Sequence, residues 1–278
     1  MTGDDLDLMR LISLLFVPGA RPDRFAKALA SDADMVCVDL EDAVPAEGKS
    51  AARAAAIAAA DPRLGIRINA VTTPEGLADL LALGAAPALP PLILVPKVES
   101  VGEIAVTRGA LGADARLVPL IETPLGLRRA AKIAGAPGVV AVMFGGGDMA
   151  GELGTALAWA PLLYARQAVL MACAEAGVPA IDVPWISLDD VDGLADEARR
   201  AQALGFQAKA AIHPAQLDAI HAAMRPPTAL VAEARAALAA HAAGGGGAIR
   251  FNGRMLEAPI VRRYARIAAM AKEEQADA

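Results

Sequence analysis

Eight short apolar runs recur along the chain, and glycine, proline or an acidic residue bounds each of them. They lie at residues 14–17, 35–40, 65–69, 92–98, 117–121, 139–144, 180–186 and 208–212. Segments of helical composition separate them, for example residues 49–60, 74–83 and 188–204. Short apolar strands that alternate with helices pair in parallel and have both faces covered. Eight such units predict an α/β fold of the (β/α)8 class, a TIM barrel, rather than an open doubly wound sheet.

The length of the chain suits one barrel followed by an extension. A single TIM barrel commonly has about the size of this 278-residue chain. After the eighth run come a helical stretch, a four-glycine run at residues 244–247 and a second helical stretch. Because four glycines have no stable conformation of their own, they form a flexible connection or a functional loop. We predict a catalytic barrel domain at residues 1–225 and a helical extension at residues 226–278 that packs on a neighbouring subunit.

Charge and composition exclude several classes of partner. Lys and Arg number 26 against 32 Asp and Glu, a formal charge of −6, so no basic field attracts nucleic acid. Glycine, proline and charges interrupt every apolar stretch before it reaches membrane-spanning length. Cys37 and Cys173 lie in an apolar strand and a helical segment, unlike a disulfide framework. We therefore predict a cytoplasmic protein with no nucleic-acid or membrane partner. No Gly-x-Gly-x-x-Gly turn follows the first strand, which argues against dinucleotide binding.

Two acids end neighbouring predicted strands. Glu122 follows the fifth apolar run and Asp148 follows the sixth, where proline or glycine stops the strand. If these strands are parallel neighbours, both carboxylates emerge at one edge of the sheet. Two carboxylates with water are a typical ligand set for Mg2+. The alternative is an acid at a helix N-terminus or in a salt bridge.

Other polar residues end the remaining strands, where the site of a barrel lies. They are Asp39, Glu41, Asp42, Arg67, Asn69, Lys97, Glu99, Asp182, Lys209 and His213. Many carboxylates in one mouth repel each other unless cations intervene. A metal, Arg67 and Lys97 would supply that positive charge, which predicts a site for an anionic substrate.

Arg67 alternates with Ile66 and Ile68, so its side chain points to one face of its strand. An arginine that points into a barrel needs an anion, either a substrate or a local acid.

Three of the candidates have structural alternatives. Glu41 and Asp42 either belong to the site or cap the next helix, where Lys49 and Arg53 would balance them. His213 precedes a proline and more readily marks a strand-to-helix junction than a catalytic group.

Two further segments bear on ligand binding. Arg21, Arg24 and Lys27 follow the first strand and either grip phosphates at the mouth or form a solvated helix face. The three glycines at residues 145–147 lack the Lys-Ser/Thr of a phosphate loop, so close backbone packing beside Asp148 explains them better.

Seven short strings occur in one order along nearly the whole chain. They are Phe-Val-Pro-Gly (16–19), Asp-Leu-Glu-Asp-Ala-Val (39–44) with Lys49 and Arg53, Arg-Ile-Asn (67–69), Val-Pro-Lys (95–97), Ile-Glu-Thr-Pro (121–124), Phe-Gly-Gly-Gly-Asp (144–148) and Gly-Phe-Gln-Ala-Lys-Ala-Ala-Ile-His-Pro (205–214). With these strings the chain resembles the citrate lyase β-subunit-like branch of the HpcH/HpaI aldolase superfamily. Each string alone is weak, but seven in register make a chance resemblance implausible.

The resemblance implies a reaction, a cofactor and an assembly. It implies a TIM barrel, often a homotrimer, that cleaves a carbon–carbon bond in a 3-hydroxyacyl thioester. The malyl-, citramalyl- and citryl-CoA class would give acetyl-CoA and a 2-keto acid. Glu122 and Asp148 would hold Mg2+, which chelates the keto acid, so that Glu122 also contributes to substrate binding.

The resemblance also implies roles for other residues. Arg67 would bind the substrate and face the thioester enolate, while Glu41 and Asp42 would handle protons or support the metal ligands. Phe16, Arg21 and Lys27 would lie near the CoA.

One residue departs from the pattern of the family. Many lyases of this type supply an Asp near the C-terminus to the neighbouring subunit's site for proton transfer. This chain has Asn252 at the corresponding position, within residues 248–255. An amide is no acid or base at neutral pH, although it can hydrogen-bond an enolate or a water.

The departure leaves three functions open. The first is a Mg2+-dependent lyase on an acyl-CoA. The second is a class II aldolase on free 4-hydroxy-2-keto acids, although the strings at residues 39–44 and near the C-terminus favour the thioester branch. The third is a subunit that depends on an acyl-carrier protein, or a CoA-ester-binding relative without turnover.

Overall fold

The computed structural model describes residue 8 and residues 10–271. Eight parallel strands form a closed barrel in chain order, and the first strand pairs with both the second and the eighth. The strands are β1 Ser13–Pro18, β2 Met35–Asp39, β3 Leu64–Arg67, β4 Ile93–Val95, β5 Leu117–Ile121, β6 Val142–Phe144, β7 Ala180–Asp182 and β8 Ala208–Ala211. This topology confirms the predicted (β/α)8 barrel.

Nine helices follow the strands of the barrel in the described part of the chain. They are α1 Phe25–Leu29, α2 Lys49–Ala58, α3 Pro74–Gly84, α4 Val101–Leu111, α5 Pro124–Ala134, α6 Gly146–Leu153, α7 Trp159–Ala176, α8 Val191–Leu204 and α9 Leu217–Met224. Helices α3 and α5 each begin with proline after a threonine whose hydroxyl accepts a backbone N–H, at Thr73 and Thr123. None of the helices described here combines the length and apolarity that crossing a membrane requires.

Alternation along the strands divides the core into two layers. One layer fills the barrel interior and includes Leu14, Cys37 and Leu120. The other lies between the strands and the helices and includes Leu15 and Val38. Because strand side chains alternate between faces, residues two positions beyond an interior residue also point inward. The last inward positions are therefore where polar groups meet at the carboxyl end of the barrel.

The chain beyond α9 forms two helices and a β-hairpin. It comprises α10 Thr228–Ala243, β9 Ile249–Phe251, β10 Arg254–Leu256 and α11 Ala258–Met270. Ala234, Ala237, Leu256 and Tyr264 form its small core. The β9–β10 turn consists of Asn252 and Gly253, both with positive φ, a conformation that these two residue types adopt most readily. The division at residue 225 and the packing on a neighbouring subunit stay predictions.

A buried polar network fixes the start of the barrel. Asp34 Oδ2 accepts the backbone N–H groups of Ile12 and Ser13, each at 3.1 Å. Ser13 Oγ lies 2.8 Å from Nε2 of His221, on α9. Burial by itself raises the pKa of Asp34, but hydrogen bonds from His221 and the two N–H groups outweigh it and hold the pKa at about 2.

We expect Asp34→Asn to lower the free energy of unfolding at pH 7 by about 2 kcal/mol, because the native carboxylate pKa lies below its unfolded value. That contribution is complete above the unfolded pKa near 4 and disappears as the pH falls toward 2. The difference between wild type and variant should therefore shrink by about half at pH 3. Urea unfolding at both pH values measures it, with the exposed neighbour Asp32→Asn as control. An equal difference at both pH values would contradict the assignment.

Candidate active site

The carboxyl end of the barrel holds a cavity of about 210 Å3. Its polar and aromatic lining includes Phe16, Asp39, Asp42, Arg67, Glu122 and Asp148. Four of these residues point into the barrel because each lies two positions after an inward position of its strand, on β1, β2, β3 or β5. They are Phe16, Asp39, Arg67 and Glu122. The sequence therefore identified most of the residues that meet here.

Arg67 is held rigidly at the base of this cavity. Its Nε and Nη2 lie 2.7 and 2.6 Å from the two carboxylate oxygens of Asp39. Its guanidinium carbon lies 5.1 Å from the ring centroid of Phe16. Burial by itself lowers the pKa of Arg67, but Asp39 and Glu41 reverse that effect and raise it, so the group stays charged. The local acid considered from the sequence is thus present, and the guanidinium also faces the cavity.

Lys97 follows β4 and joins several of the acids. Its Nζ lies 2.6 Å from Glu41 Oε1, 3.2 Å from Asp148 Oδ2 and 3.7 Å from Asp42 Oδ1. Its backbone N–H donates to Glu122 Oε1 at 2.6 Å. Its φ is +52°, a left-handed conformation that costs a non-glycine residue about 1–2 kcal/mol. This backbone conformation places both the backbone N–H and the ammonium group of Lys97 next to carboxylates.

Glu122 is the most desolvated acid at the mouth of the barrel. Only 4% of it is exposed, against 40% of the Asp148 side chain. Burial, together with the charges of Glu41 and Asp148, raises the pKa of Glu122 to about 8, against the Lys97 N–H and Arg67, which lower it. When the acids at the mouth are ionised, their negative charge therefore exceeds the positive charge of Arg67 and Lys97.

These residues fit a divalent cation in an open site. The mouth holds five carboxylates and two cationic side chains, namely Asp39, Glu41, Asp42, Glu122, Asp148, Arg67 and Lys97. In the described ranges, no three His, Cys, Asp or Glu residues converge as a closed metal site. Glu122 and Asp148 would supply two oxygen ligands and leave the other positions to water and substrate, as Mg2+ prefers.

Gly145 provides the space that Glu122 occupies. A Cβ atom at residue 145 would lie 2.4 Å from Glu122 Cβ and 2.5 Å from Glu122 Oε2. The sequence prediction of close backbone packing in the glycine run therefore agrees with the structure, although the contact is with Glu122 rather than Asp148.

Two residues expected at the mouth lie elsewhere. Asp182 and Lys209 are fully buried between the barrel and its helices, with their carboxylate and ammonium groups 2.8 Å apart. Arg166 and Glu197 complete this cluster from α7 and α8. The prediction was wrong because Ile181 takes the inward position on β7, which turns Asp182 outward.

The structural alternative for Glu41 and Asp42, in which Lys49 and Arg53 balance them, does not agree with the structure. Arg53 pairs with Asp79, Nε to Oδ1 at 2.5 Å. The Lys49 ammonium donates to the carbonyl oxygens of Leu40 and Glu41, at 2.7 and 2.6 Å. It therefore fixes the loop backbone, while the Glu41 side chain turns to Lys97 and Arg67.

The remaining candidates fall outside the cavity. His213 Nδ1 accepts the Ala215 N–H at 3.1 Å, which fits the strand-to-helix junction favoured from the sequence. Asn69 donates to Asp79, and Glu99 accepts from the hydroxyl of Thr123.

The residues expected near CoA or a neighbouring site are exposed. Arg21 pairs with Asp23 on the surface, at 2.7 Å, and Lys27 is an exposed residue of α1. Asn252 lies at the tip of the β9–β10 hairpin and does not line the cavity of its own chain.

A larger cavity, about 660 Å3, lies at the opposite, amino-terminal end of the barrel. Its wall includes Asp34 and His221, which adjoin Ser13. The three do not form a hydrolytic triad, because Ser13 is fully buried and His221 Nε2 faces both the hydroxyl and the carboxylate. Size alone therefore does not mark the site in this protein.

The sequence did not identify the apolar part of the cavity lining. This part includes Leu157, Val183, Pro184, Ile186 and Ile212. Leu157 lies between α6 and α7, and the other four belong to the predicted apolar runs at residues 180–186 and 208–212. Because β7 ends at Asp182 and β8 at Ala211, these four lie in loops, and only the fold shows that they cover a cavity.

The family model for HpcH/HpaI aldolase/citrate lyase matches residues 12–214. The chain belongs to this family. The match spans all eight strands of the barrel, in agreement with the resemblance seen in the sequence. Two of the relatives described below are named as lyases.

The matches with curated proteins and with a solved structure cover most of this chain and most of each relative. A citrate lyase subunit beta-like protein of Deinococcus radiodurans is 37% identical and covers 91% of this chain and 94% of its own. The mitochondrial citramalyl-CoA lyase of Rattus norvegicus is 31% identical, with 93% and 85% covered. The structure of CitE from Mycobacterium tuberculosis with magnesium, acetoacetate and coenzyme A is 35% identical, with a TM-score of 0.77 and 94% and 98% covered. Magnesium in that complex agrees with the Mg2+ predicted from the sequence.

We expect Gly145→Ala to weaken Mg2+ binding at least about tenfold, because its methyl group displaces the Glu122 carboxylate. Calorimetric titration with MgCl2 measures the affinity, and circular dichroism checks that the fold persists. Gly151→Ala is the matched control, since a Cβ at residue 151 of α6 meets nothing within 4 Å. Equal Mg2+ affinity in wild type and Gly145→Ala would show that Glu122 is not a ligand.

Proposed function

We propose that this protein is a Mg2+-dependent carbon–carbon lyase that cleaves a 3-hydroxyacyl-CoA to acetyl-CoA and a 2-keto acid. One observation carries the proposal: two acids suited to Mg2+, Glu122 and Asp148, share a small cavity with the guanidinium of Arg67. Citramalyl-CoA, one member of the malyl-, citramalyl- and citryl-CoA class, is named in the citramalyl-CoA lyase of Rattus norvegicus.

Cleavage of this substrate class requires charge to be stabilised at two places. The 3-hydroxyl loses its proton, the C2–C3 bond breaks, and its electron pair moves onto the thioester as an enolate. Bound Mg2+ supplies positive charge for the carboxylate and oxygen of the keto-acid half. Arg67, fixed by Asp39 and stacked on Phe16, faces the same cavity and would stabilise the enolate.

We assign the uptake of the hydroxyl proton to Glu41, which contacts Arg67 and Lys97 beside the cavity but is not one of its lining residues. Burial raises its pKa, against the charge of Arg67 and the hydrogen bond from Lys97. Its Oε2 is buried and has no aligned hydrogen bond within the described part of the chain, although Arg67 Nη1 lies 3.2 Å away. A buried carboxylate with a raised pKa is suited to accept a proton. Asp42, at the rim, would exchange that proton with solvent, and a solvent proton would convert the enolate carbon to the methyl group of acetyl-CoA.

The size of the cavity favours a substrate whose carrier stays outside. About 210 Å3 is smaller than the pockets that enclose drug-sized ligands, so it accommodates the acid half alone. The pantetheine and nucleotide of CoA would extend over the rim past Phe16, with Arg21 and Lys27 near the phosphates. Arg21 would leave its exposed partner Asp23 at little cost.

The assembly is part of the proposal. Asn252 lies on the hairpin of the extension and would reach the site of a neighbouring copy in a homotrimer. Its amide can hydrogen-bond the enolate but cannot protonate it. An aldolase on free 4-hydroxy-2-keto acids is a weaker candidate because the strings at residues 39–44 and near the C-terminus favour the thioester branch. The cytoplasm remains the compartment we propose, since Cys37 and Cys173 are unpaired.

We expect Mg2+-dependent release of a keto acid from malyl-, citramalyl- or citryl-CoA, and a loss of about 10³-fold in Glu122→Gln because a metal ligand is removed. Separate assays of keto acid and of free thiol distinguish cleavage from thioester hydrolysis. Glu99→Gln is the matched control, since its carboxylate lies outside the cavity and accepts from Thr123. Turnover that survives both EDTA and Glu122→Gln would rule out this site. Silence on all three CoA esters, with turnover of free 4-hydroxy-2-keto acids or of acyl-carrier thioesters, would favour those alternatives.

We expect Asn252→Asp to raise kcat at least about tenfold with little change in KM, because a carboxyl group can transfer a proton that the amide cannot. Steady-state kinetics with the best CoA ester measures both constants, and Asn252→Ala serves as control for lost hydrogen bonding. An unchanged or lower kcat in Asn252→Asp would place Asn252 outside proton transfer.

A further inference from the structure

Lys97 is the one lysine among the described residues whose ammonium reaches the mouth acids. It contacts Glu41 and Asp148, at 2.6 and 3.2 Å, and approaches Asp42 at 3.7 Å. Its backbone N–H binds Glu122. A single residue therefore contacts both acids that the proposed function assigns to Mg2+, one through the backbone and one through the side chain.

We propose that the Lys97 ammonium is a built-in competitor of Mg2+: it neutralises Asp148 in the metal-free protein and moves onto Glu41 and Asp42 when the metal binds. This inference rests on the proposed metal site. It makes Lys97 a residue that sets the metal affinity rather than a ligand.

Charge repulsion gives the reason for the movement. An ammonium and a divalent cation on the same carboxylate repel each other strongly at a partly buried site. Lys97 can move because its side chain is flexible and 38% exposed, and because Glu41 already holds it at 2.6 Å. The backbone N–H bond to Glu122 does not depend on the side chain, so it persists through the exchange.

Arg67 cannot take the same role. Its Nε and Nη2 engage Asp39, its Nη1 lies 3.2 Å from Glu41 Oε2, and its planar group lies over the ring of Phe16. Arg67 thereby stays paired with Asp39 and Glu41, which leaves Asp148 and Glu122 to Lys97 and the metal. The two cations of the mouth thus divide into a fixed one and a mobile one.

Calorimetric titration of MgCl2 into the EDTA-treated full-length protein tests the inference. We expect Lys97→Met to bind Mg2+ about tenfold more tightly than wild type, because the competing ammonium is gone. Lys97→Arg should stay near the wild-type affinity. Lys132→Met is the matched control, since Lys132 is exposed in the last turn of α5, and it should change the affinity less than about twofold.

Thermal melting gives a second readout that does not depend on turnover. In EDTA, Lys97→Met should melt at a lower temperature than wild type, because Glu41 and Asp148 lose their counter-ion, and saturating Mg2+ should raise its melting temperature more. Lys97→Gly relieves the positive φ as well and should also bind Mg2+ more tightly, which covers a folding defect in Lys97→Met.

The outcomes separate this inference from the proposed function. Wild type that binds Mg2+, with equal or weaker binding in both Lys97→Met and Lys97→Gly, overturns the competition and leaves the metal site intact. Wild type and Glu122→Gln that bind Mg2+ equally, or not at all, overturn the metal site itself. Tighter binding in both Lys97 variants with a normal Lys132→Met supports the competition.

Discussion

Pairing of β1 with β8 closes the barrel, and the rest of the structure depends on that closure. In a closed parallel barrel, alternate residues of every strand must point inward, and all strands end at the same face. Phe16, Asp39, Arg67 and Glu122 take inward positions at or just after the carboxyl ends of four strands and therefore meet at one cavity. Side chains one position away on the same strands join the outer apolar layer instead. The site is thus a consequence of strand parity as much as of residue type.

The electrostatics of the mouth follow from that geometry. Acids from three segments, at residues 39–42, 122 and 148, converge in a partly buried space, and burial raises the pKa of Glu41 and Glu122. Arg67 and Asp39 form a fixed, doubly hydrogen-bonded pair, which settles one acid permanently. The other acids have Lys97 alone among nearby lysines, so negative charge is left over. The surplus carboxylates suit the binding of a metal cation, which would hold the keto-acid half of the substrate. The fixed guanidinium of Arg67 suits a reaction in which an anion develops on the thioester half.

Two clusters of the same residue types illustrate the difference between a structural and a functional role. The first cluster contains two acids and two bases, all buried, so its charges are balanced within the protein. Its members are Arg166, Asp182, Glu197 and Lys209. Breaking such a cluster would leave a buried charge without a partner. The mouth cluster is unbalanced and borders a cavity. The excess of charge and the access of solvent, rather than the number of ionisable groups, distinguish the candidate active site.

The sequence by itself determined the eight strands, the family and most residues of the site, because short apolar runs and the acids after them are local features. It correctly favoured a junction role for His213 and close packing for the 145–147 glycines, since both depend on neighbours in the chain. Only the tertiary structure decided which face each strand-end residue takes, and so excluded Asp182 and Lys209 from the mouth. It alone paired Arg53 with Asp79 and brought Lys97 to Glu41, Glu122 and Asp148. Those contacts join residues far apart in the chain, and barrel closure, not local pattern, sets the distances between them.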